Sequence, residues 1–93
     1  MAPLPVLSDI EIQRRLSTLT GWQRHGTALK RTFTFAGFPE AVAFVHTLIA
    51  PAEAMEHHPD VDVRYNKVIV TLSTHDSGGI TENDFVLAGR IVG

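Results

Sequence analysis

Two stretches of this chain alternate apolar and polar residues at period two, and each folds back on itself at a turn signal. Leu29, Phe33 and Phe35 point one way while Lys30, Thr32 and Thr34 point the other. His25-Gly26 supplies a turn before that run, and Trp22 begins a short strand on its far side. Val61, Val63 and Tyr65 alternate next, Asn66 marks a tight turn, and Val68, Val70 and Leu72 alternate again. Two hairpins with one apolar face each have to bury those faces against other elements. With helical segments between them, they argue for an antiparallel sheet covered on one face, an α+β domain.

The helical segments are as easily marked. Ser8 followed by Glu11 has capping-box spacing and opens a helix at about Asp9. Ile12, Leu16 and Leu19 recur at helical spacing, and Gly21 ends the segment. A second helix begins near Phe38-Pro39-Glu40, where proline is tolerated in the first turn. Its stripe of Phe38, Ala41, Val42, Val45, Leu48, Ile49 and Ala52 is widened by Phe44 and Met55 to about half the circumference, more than the roughly 100° that one core needs. Two readings stand: a deeply buried central helix, or a helix with one flank on its own domain and the other on a second subunit. The second is preferred, because so small a domain has little core with which to surround a helix. Pro51 inside this helix costs roughly 3 kcal/mol, so a kink or two abutting helical pieces are expected. The helix stops near His57, since His58 precedes Pro59. After Ser77-Gly78-Gly79, Thr81 caps a last helix with Phe85, Ala88 and Ile91/Val92 on one side. The order is helix, two strands, helix, two strands, helix.

Composition narrows the function classes. The 93 residues make one domain, 1–93, with residues 1–7 expected as a flexible arm. There is no cysteine, which removes disulfides, thiolate metal sites and cysteine nucleophiles. The net charge is −2 and the basic residues are scattered, so direct nucleic-acid binding has little support. The apolar stretch Ala41–Ala52, interrupted by His46, Thr47 and Pro51, is too short and polar to span a bilayer. The start lacks the basic and apolar regions of a signal peptide, and a cytoplasmic location is expected.

Five histidines is a high number for this length, and three fall at segment ends. His57 and His58 lie where the long helix stops, His75 where the last strand stops, and Asp84 in the first turn of the last helix. If the strands run beside the helices as drawn, these ends meet at one rim of the sheet. Histidine titrates nearest neutrality, so one imidazole can withdraw a proton while another protonates a leaving hydroxyl. Each residue also has a structural reading. His57 complements a helix C-terminus, His58 is a turn residue before proline, and His75 is a loop residue bonded to backbone. Asp84, three residues after Thr81, is a capping-box residue. His25 and His46 are assigned to surface or turn. A zinc site is a further reading, but adjacent His-His lacks the usual ligand spacing, and no metal is expected.

The string Glu56-His-His-Pro-Asp-Val, Tyr65-Asn-Lys-Val, Leu72-Ser-Thr-His75 and Gly79-Ile-Thr-x-x-Asp84-x-x-Leu-Ala resembles the signature of the pterin-4a-carbinolamine dehydratases. The resemblance covers the C-terminal half strongly and extends weakly to Trp22 and the Phe33/Phe35 strand. It implies a four-stranded antiparallel sheet with three helices on one face. The implied reaction removes water from a 4a-hydroxytetrahydropterin to give the quinonoid dihydropterin, in tetrahydrobiopterin recycling, with no cofactor. It also implies a homodimer or homotetramer built through the 39–57 helix and the sheet edges. By position, His57, His58 and His75 match the family's active-site histidines and Asp84 its associated carboxylate. Glu56, Ser73, Thr74 and Asp76 match positions that line the pterin site. On this reading His57 and His75 handle protons, His58 positions the pterin or acts as base, and Asp84 orients an imidazole. Val61 departs from the family, standing where animal members often carry tryptophan. The same fold also serves as a non-catalytic dimerisation or assembly-factor module, which is the alternative reading.

Overall fold

A computed structural model describes residues 4–92. Helix α1 (Asp9–Leu16) is followed by β1 (Gln23–His25) and β2 (Ala28–Thr34), then by helices α2 (Phe38–Thr47) and α3 (Ile49–Met55). Strands β3 (Asp60–Arg64) and β4 (Lys67–Leu72) come next, and a 3-10 turn (His75–Ser77) leads into α4 (Glu82–Arg90). The strands form one antiparallel sheet in the order β1-β2-β4-β3, so the α+β class and the order of elements are as expected.

Register turns the alternating pattern into two different faces. Leu29 lies opposite Leu72 and Phe33 opposite Val68, and all four are buried against the helices with Val70. Thr32, Thr34, Asp60, Asp62 and Arg64 project from the other face and are exposed. Helices α1, α2 and α4 contribute Ile12, Ala41, Phe44, Leu87 and Ala88 to the single core. Aromatic rings tie α2 to the sheet: Phe44 lies 4.5 Å from Phe33 and 5.1 Å from Phe35, and Trp22 meets Phe33 edge-on at 6.4 Å. Arg31 departs from the pattern. By register it lies opposite Val70, on the helix side, with its guanidinium 4.3 Å over the Phe33 ring.

Local chemistry sets the element ends. The Ser8 hydroxyl accepts from the Glu11 N–H, as a cap should, but the Glu11 carboxylate turns to Arg14 and Arg15 instead of closing the box. The helix stops at Leu16, short of Gly21, where Ser17 and Thr18 donate their hydroxyls to the carbonyls of Arg14 and Arg15.

The expected 39–57 helix is two pieces. They meet at Leu48, and the second ends at Met55. Pro51 explains the break: its ring would collide with the Thr47 carbonyl in a continuous helix. In the first turn of α3 its missing N–H costs little. The second hairpin also differs from expectation. Tyr65, read from sequence as strand, occupies the turn at φ 53° and is exposed. Asn66 reaches across to β2, where its Nδ2 donates to the Phe35 carbonyl at 3.1 Å.

Residues 4–7, expected within a flexible arm, lie against the 77–80 segment. The Leu7 N–H donates to the Ile80 carbonyl at 2.9 Å, and the Ser77 hydroxyl donates to the Leu4 carbonyl. Residues 1–3 of that arm lie outside the described residues. Among the described residues no helix is long and apolar enough to cross a membrane.

Candidate active site

The end of α3 fixes where the first histidine goes. Glu56 adopts the left-handed conformation (φ 50°, ψ 40°) that helices commonly use to stop. Its N–H donates to the Glu53 carbonyl at 3.2 Å, and the next N–H, that of His57, donates to the Ala52 carbonyl at 3.0 Å. These are the two bonds of a Schellman motif, which is usually built with glycine. The chain is thereby turned so that His57 points back over the start of α4.

There it meets Asp84. The carboxylate is fully buried and accepts from three sides: His57 Nε2 at 2.6 Å on Oδ1, with the Thr81 N–H and the Thr74 hydroxyl, each at 2.9 Å, on Oδ2. The Thr81 hydroxyl lies 2.7 Å from that of Thr74 and accepts from the Asn83 N–H at 3.3 Å. Because Thr74 donates to Asp84, Thr81 donates to Thr74. Every polar group in this knot has a partner, which is what permits an anionic side chain to be buried. Asp84 therefore caps α4 and holds an imidazole with different oxygens. A carboxylate accepts only, so with Asp84 ionised the Nε2 of His57 is the donor in this bond, and Nδ1 is the ring nitrogen that Asp84 does not engage.

His75 opens the 3-10 turn, inside a small loop closed by the Thr74 N–H on the Gly79 carbonyl at 2.9 Å and the return bond at 3.3 Å. Gly78, at φ 76°, allows the chain to double back there. The result is a cavity of about 200 Å³ lined by Glu56, His57, His58, Ser73, Thr74, His75 and Asp76. The three histidines thus share one cavity, on the segments that follow α3 and β4. His57 is mostly buried, with 11% of its side chain exposed, whereas His75 is open to solvent. Asp84 does not line the cavity; it stands behind His57. His25 and His46 lie outside the cavity and are exposed. Among the described residues no three His, Asp or Glu side chains converge as a metal-holding group.

Sequence reasoning missed Glu53. Its Oε2 hydrogen-bonds His58 Nε2, so the second histidine also has a carboxylate behind it. The signal was faint, because a spacing of five residues matches no helical neighbour. Only the reversal at Glu56 brings His58 back beside the last helical turn. Val61, the departure noted from sequence, lines a separate apolar groove of about 200 Å³ with Val45, Leu48, Ile49, Ala52 and Pro59. His58 and Glu53 border that groove as well, and His58 is the wall it shares with the histidine cavity. Glu53–His58 is an open pair, with 66% and 63% of the two side chains exposed, in contrast to the enclosed Asp84–His57 pair.

Comparison with known proteins agrees in extent and in shape. The profile of the family described as "Pterin 4 alpha carbinolamine dehydratase" matches residues 5–92. A protein of Nostoc sp. named "Putative pterin-4-alpha-carbinolamine dehydratase" is 52% identical over 86 residues, 92% of each chain. The crystal structure of a "transcriptional coactivator/pterin dehydratase" from Brucella melitensis superposes with a TM-score of 0.87 at 36% identity, covering 92% of this chain and 94% of that one. A more distant likeness (TM-score 0.59, 25% identity, covering 75% and 81%) is to a "pterin dehydratase-like protein" identified as a RuBisCO assembly factor in the alpha-carboxysome.

Proposed function

The chain belongs to the pterin 4 alpha carbinolamine dehydratase family, and we propose from that membership and the rim geometry that it dehydrates a 4a-hydroxytetrahydropterin. The observation that carries this reading is the buried Asp84–His57 pair beside a cavity that also holds His58 and His75. In the proposed reaction a proton leaves a pterin ring nitrogen and the C4a–oxygen bond breaks. The departing hydroxide takes up a proton and leaves as water, giving the quinonoid dihydropterin. His57, held by Asp84 in one tautomer, withdraws or returns a proton through Nδ1. The exposed His75 faces the leaving group, and His58 with Glu53 positions the ring or serves as the second base. General acid–base catalysis of this kind contributes typically about 10²–10⁴-fold per positioned group. No metal or organic cofactor enters this scheme. The same reading assigns the product to tetrahydrobiopterin recycling, in the cytoplasm, with neither nucleic acid nor membrane as partner.

The proposal includes assembly into a homodimer or homotetramer. In its support, Phe38, Val42 and Ile49 form an exposed apolar stripe along α2 and the start of α3, and β1 and β3 are edge strands.

Dehydration of a 4a-carbinolamine by the purified chain, compared with His57→Ala and His75→Ala, tests the reading. A wild-type rate no higher than the uncatalysed one would sink it. A second reading, a non-catalytic assembly or dimerisation module, draws on the assembly-factor likeness. It would be upheld by a cellular role that survives His57→Ala unchanged.

A further inference from the structure

Away from the histidine cavity, and sharing no residue with it, a groove of about 470 Å³ lies at the β1–β2 end of the sheet. Its polar walls are Gln23, His25, Lys30, Arg31 and Thr32, with Gly21 and Ile69 completing it. Each of those five side chains can donate a hydrogen bond, and none of the lining residues is acidic. Across that face Asp62 lies opposite Ile69 and is held by Arg64 at 3.1 Å, while Asp60 lies opposite Thr71, the partner of Lys30, and stands outside the groove lining.

Arg31 and the exposed Arg90 are the arginines without an ion pair among the described residues, and of the two only Arg31 is half-buried. Arg14 and Arg15 pair with Glu11, Arg15 also with Glu82, Arg24 with Asp9 and Arg64 with Asp62. Arg31 is half-buried, as Arg15 is, yet forms no ion pair among the described residues, and neither does its half-buried neighbour Lys30. The guanidinium is nevertheless held in place. It lies 4.3 Å over the Phe33 ring and so close to Gly21 that a Cβ there would sit 2.7 Å from Arg31 Nε. The bare glycine leaves the space through which Arg31 reaches the groove from the helix side of the sheet. Lys30 and Arg31 leave the strand on opposite faces, and the groove at the end of β1 is lined by both, so two partly desolvated cations without an ion pair contribute to its potential.

We propose that this groove is an anion site for a phosphate-bearing small molecule. A fixed guanidinium fork matches phosphate oxygens two at a time, and the ammonium, hydroxyl and amide donors supply the remaining contacts. The groove is larger than a bare phosphate needs, so the anion arrives as part of an ester whose body lies along Ile69 and Gln23.

Titrating the purified full chain with inorganic phosphate, glycerol 3-phosphate and acetate at constant ionic strength, followed by amide proton–nitrogen spectra, tests the proposal. The expected result is saturable binding, tighter for the ester than for the free ion and negligible for acetate. Shifts should gather at residues 21–25, 30–32 and 69 and leave His57 and His75 unmoved. Arg31→Gln should weaken binding roughly tenfold or more, the loss expected for one charge-assisted contact. Because Arg31 also packs on Phe33, Lys30→Gln serves as the independent variant and should weaken binding to a similar degree. Shifts that never saturate, that scatter over the surface, or that persist in Lys30→Gln would overturn the site. Equal affinity for phosphate and the ester would overturn its assignment to an ester.

Discussion

At the scale of single residues, Asp84 does two things with two oxygens. Oδ1 holds His57, while Oδ2 closes the cap of α4 and takes the Thr74 hydroxyl. An asparagine there keeps the shape and one acceptor but presents an NH₂ to whichever neighbour the other end meets. If the amide oxygen stays on Thr81 and Thr74, His57 Nε2 has to become the acceptor and its free nitrogen the protonated one. Asp84→Asn is therefore expected to lower kcat by about 10²-fold or more. The fold should lose only about 1–2 kcal/mol, the range for a weakened cap or hydrogen bond. Steady-state kinetics beside urea unfolding separates the two effects, and a kcat within about threefold of wild type would remove the orienting role from Asp84. Glu53→Gln should act more weakly on rate, since that pair stands in solvent where charge pairs contribute little.

At the scale of elements, two junctions set the site, and each makes a prediction. The first is the end of α3. Glu56 is held at positive φ, which for a residue with a Cβ costs roughly 1–2 kcal/mol. Glycine relieves that strain but adds freedom to the unfolded chain, about 0.4–1 kcal/mol in the opposite direction. Glu56→Gly should thus leave stability unchanged or raise it by up to about 1.6 kcal/mol in denaturant unfolding. Glu56→Val should lower it, since a β-branched side chain is poorly tolerated there.

The second junction is the clamp between α1 and α4, Arg15 to Glu82 at 2.8 Å. The Arg15 hydrogen bond, reinforced by its charge, holds the Glu82 carboxyl below the ordinary 4.5. A depressed carboxyl contributes stability above its unfolded value and loses it as pH falls through the folded one. Wild type should therefore melt slightly above Glu82→Gln at neutral pH, with the gap closing below about pH 4.5. A gap that widened in acid would contradict the clamp.

For the whole molecule, a one-sided sheet leaves one layer of helices to bury everything. Phe44 is the contact that makes this layer cohere, stacked against Phe33 and Phe35 from the second helix. Phe44→Ala should cost about 3–5 kcal/mol, a large part of the 5–15 kcal/mol net stability usual for a domain. A second consequence concerns what the layer fails to bury. Phe38, Val42 and Ile49 remain exposed in a single copy. Light scattering at micromolar concentration should report a dimer or tetramer, and Val42→Asp should shift it toward monomer with the histidine cavity intact. A wild-type monomer would leave the stripe without that role.

Much of this was determined by sequence alone, because period-two and helical patterns are local and burial makes them nearly unambiguous. The two hairpins, the capped first and last helices and the ends carrying His57, His58 and His75 all follow from near neighbours along the chain. Tertiary structure decided what depends on residues far apart. Asp84 meets His57 across 27 positions. Glu53 reaches His58 only because a non-glycine residue takes a left-handed turn at Glu56. Arg31 passes so close to Gly21, ten residues earlier, that a Cβ there would meet its Nε at 2.7 Å. Local pattern says which residues are buried and where a segment ends, whereas a hydrogen bond of a few ångströms between distant segments depends on the whole chain having closed around it.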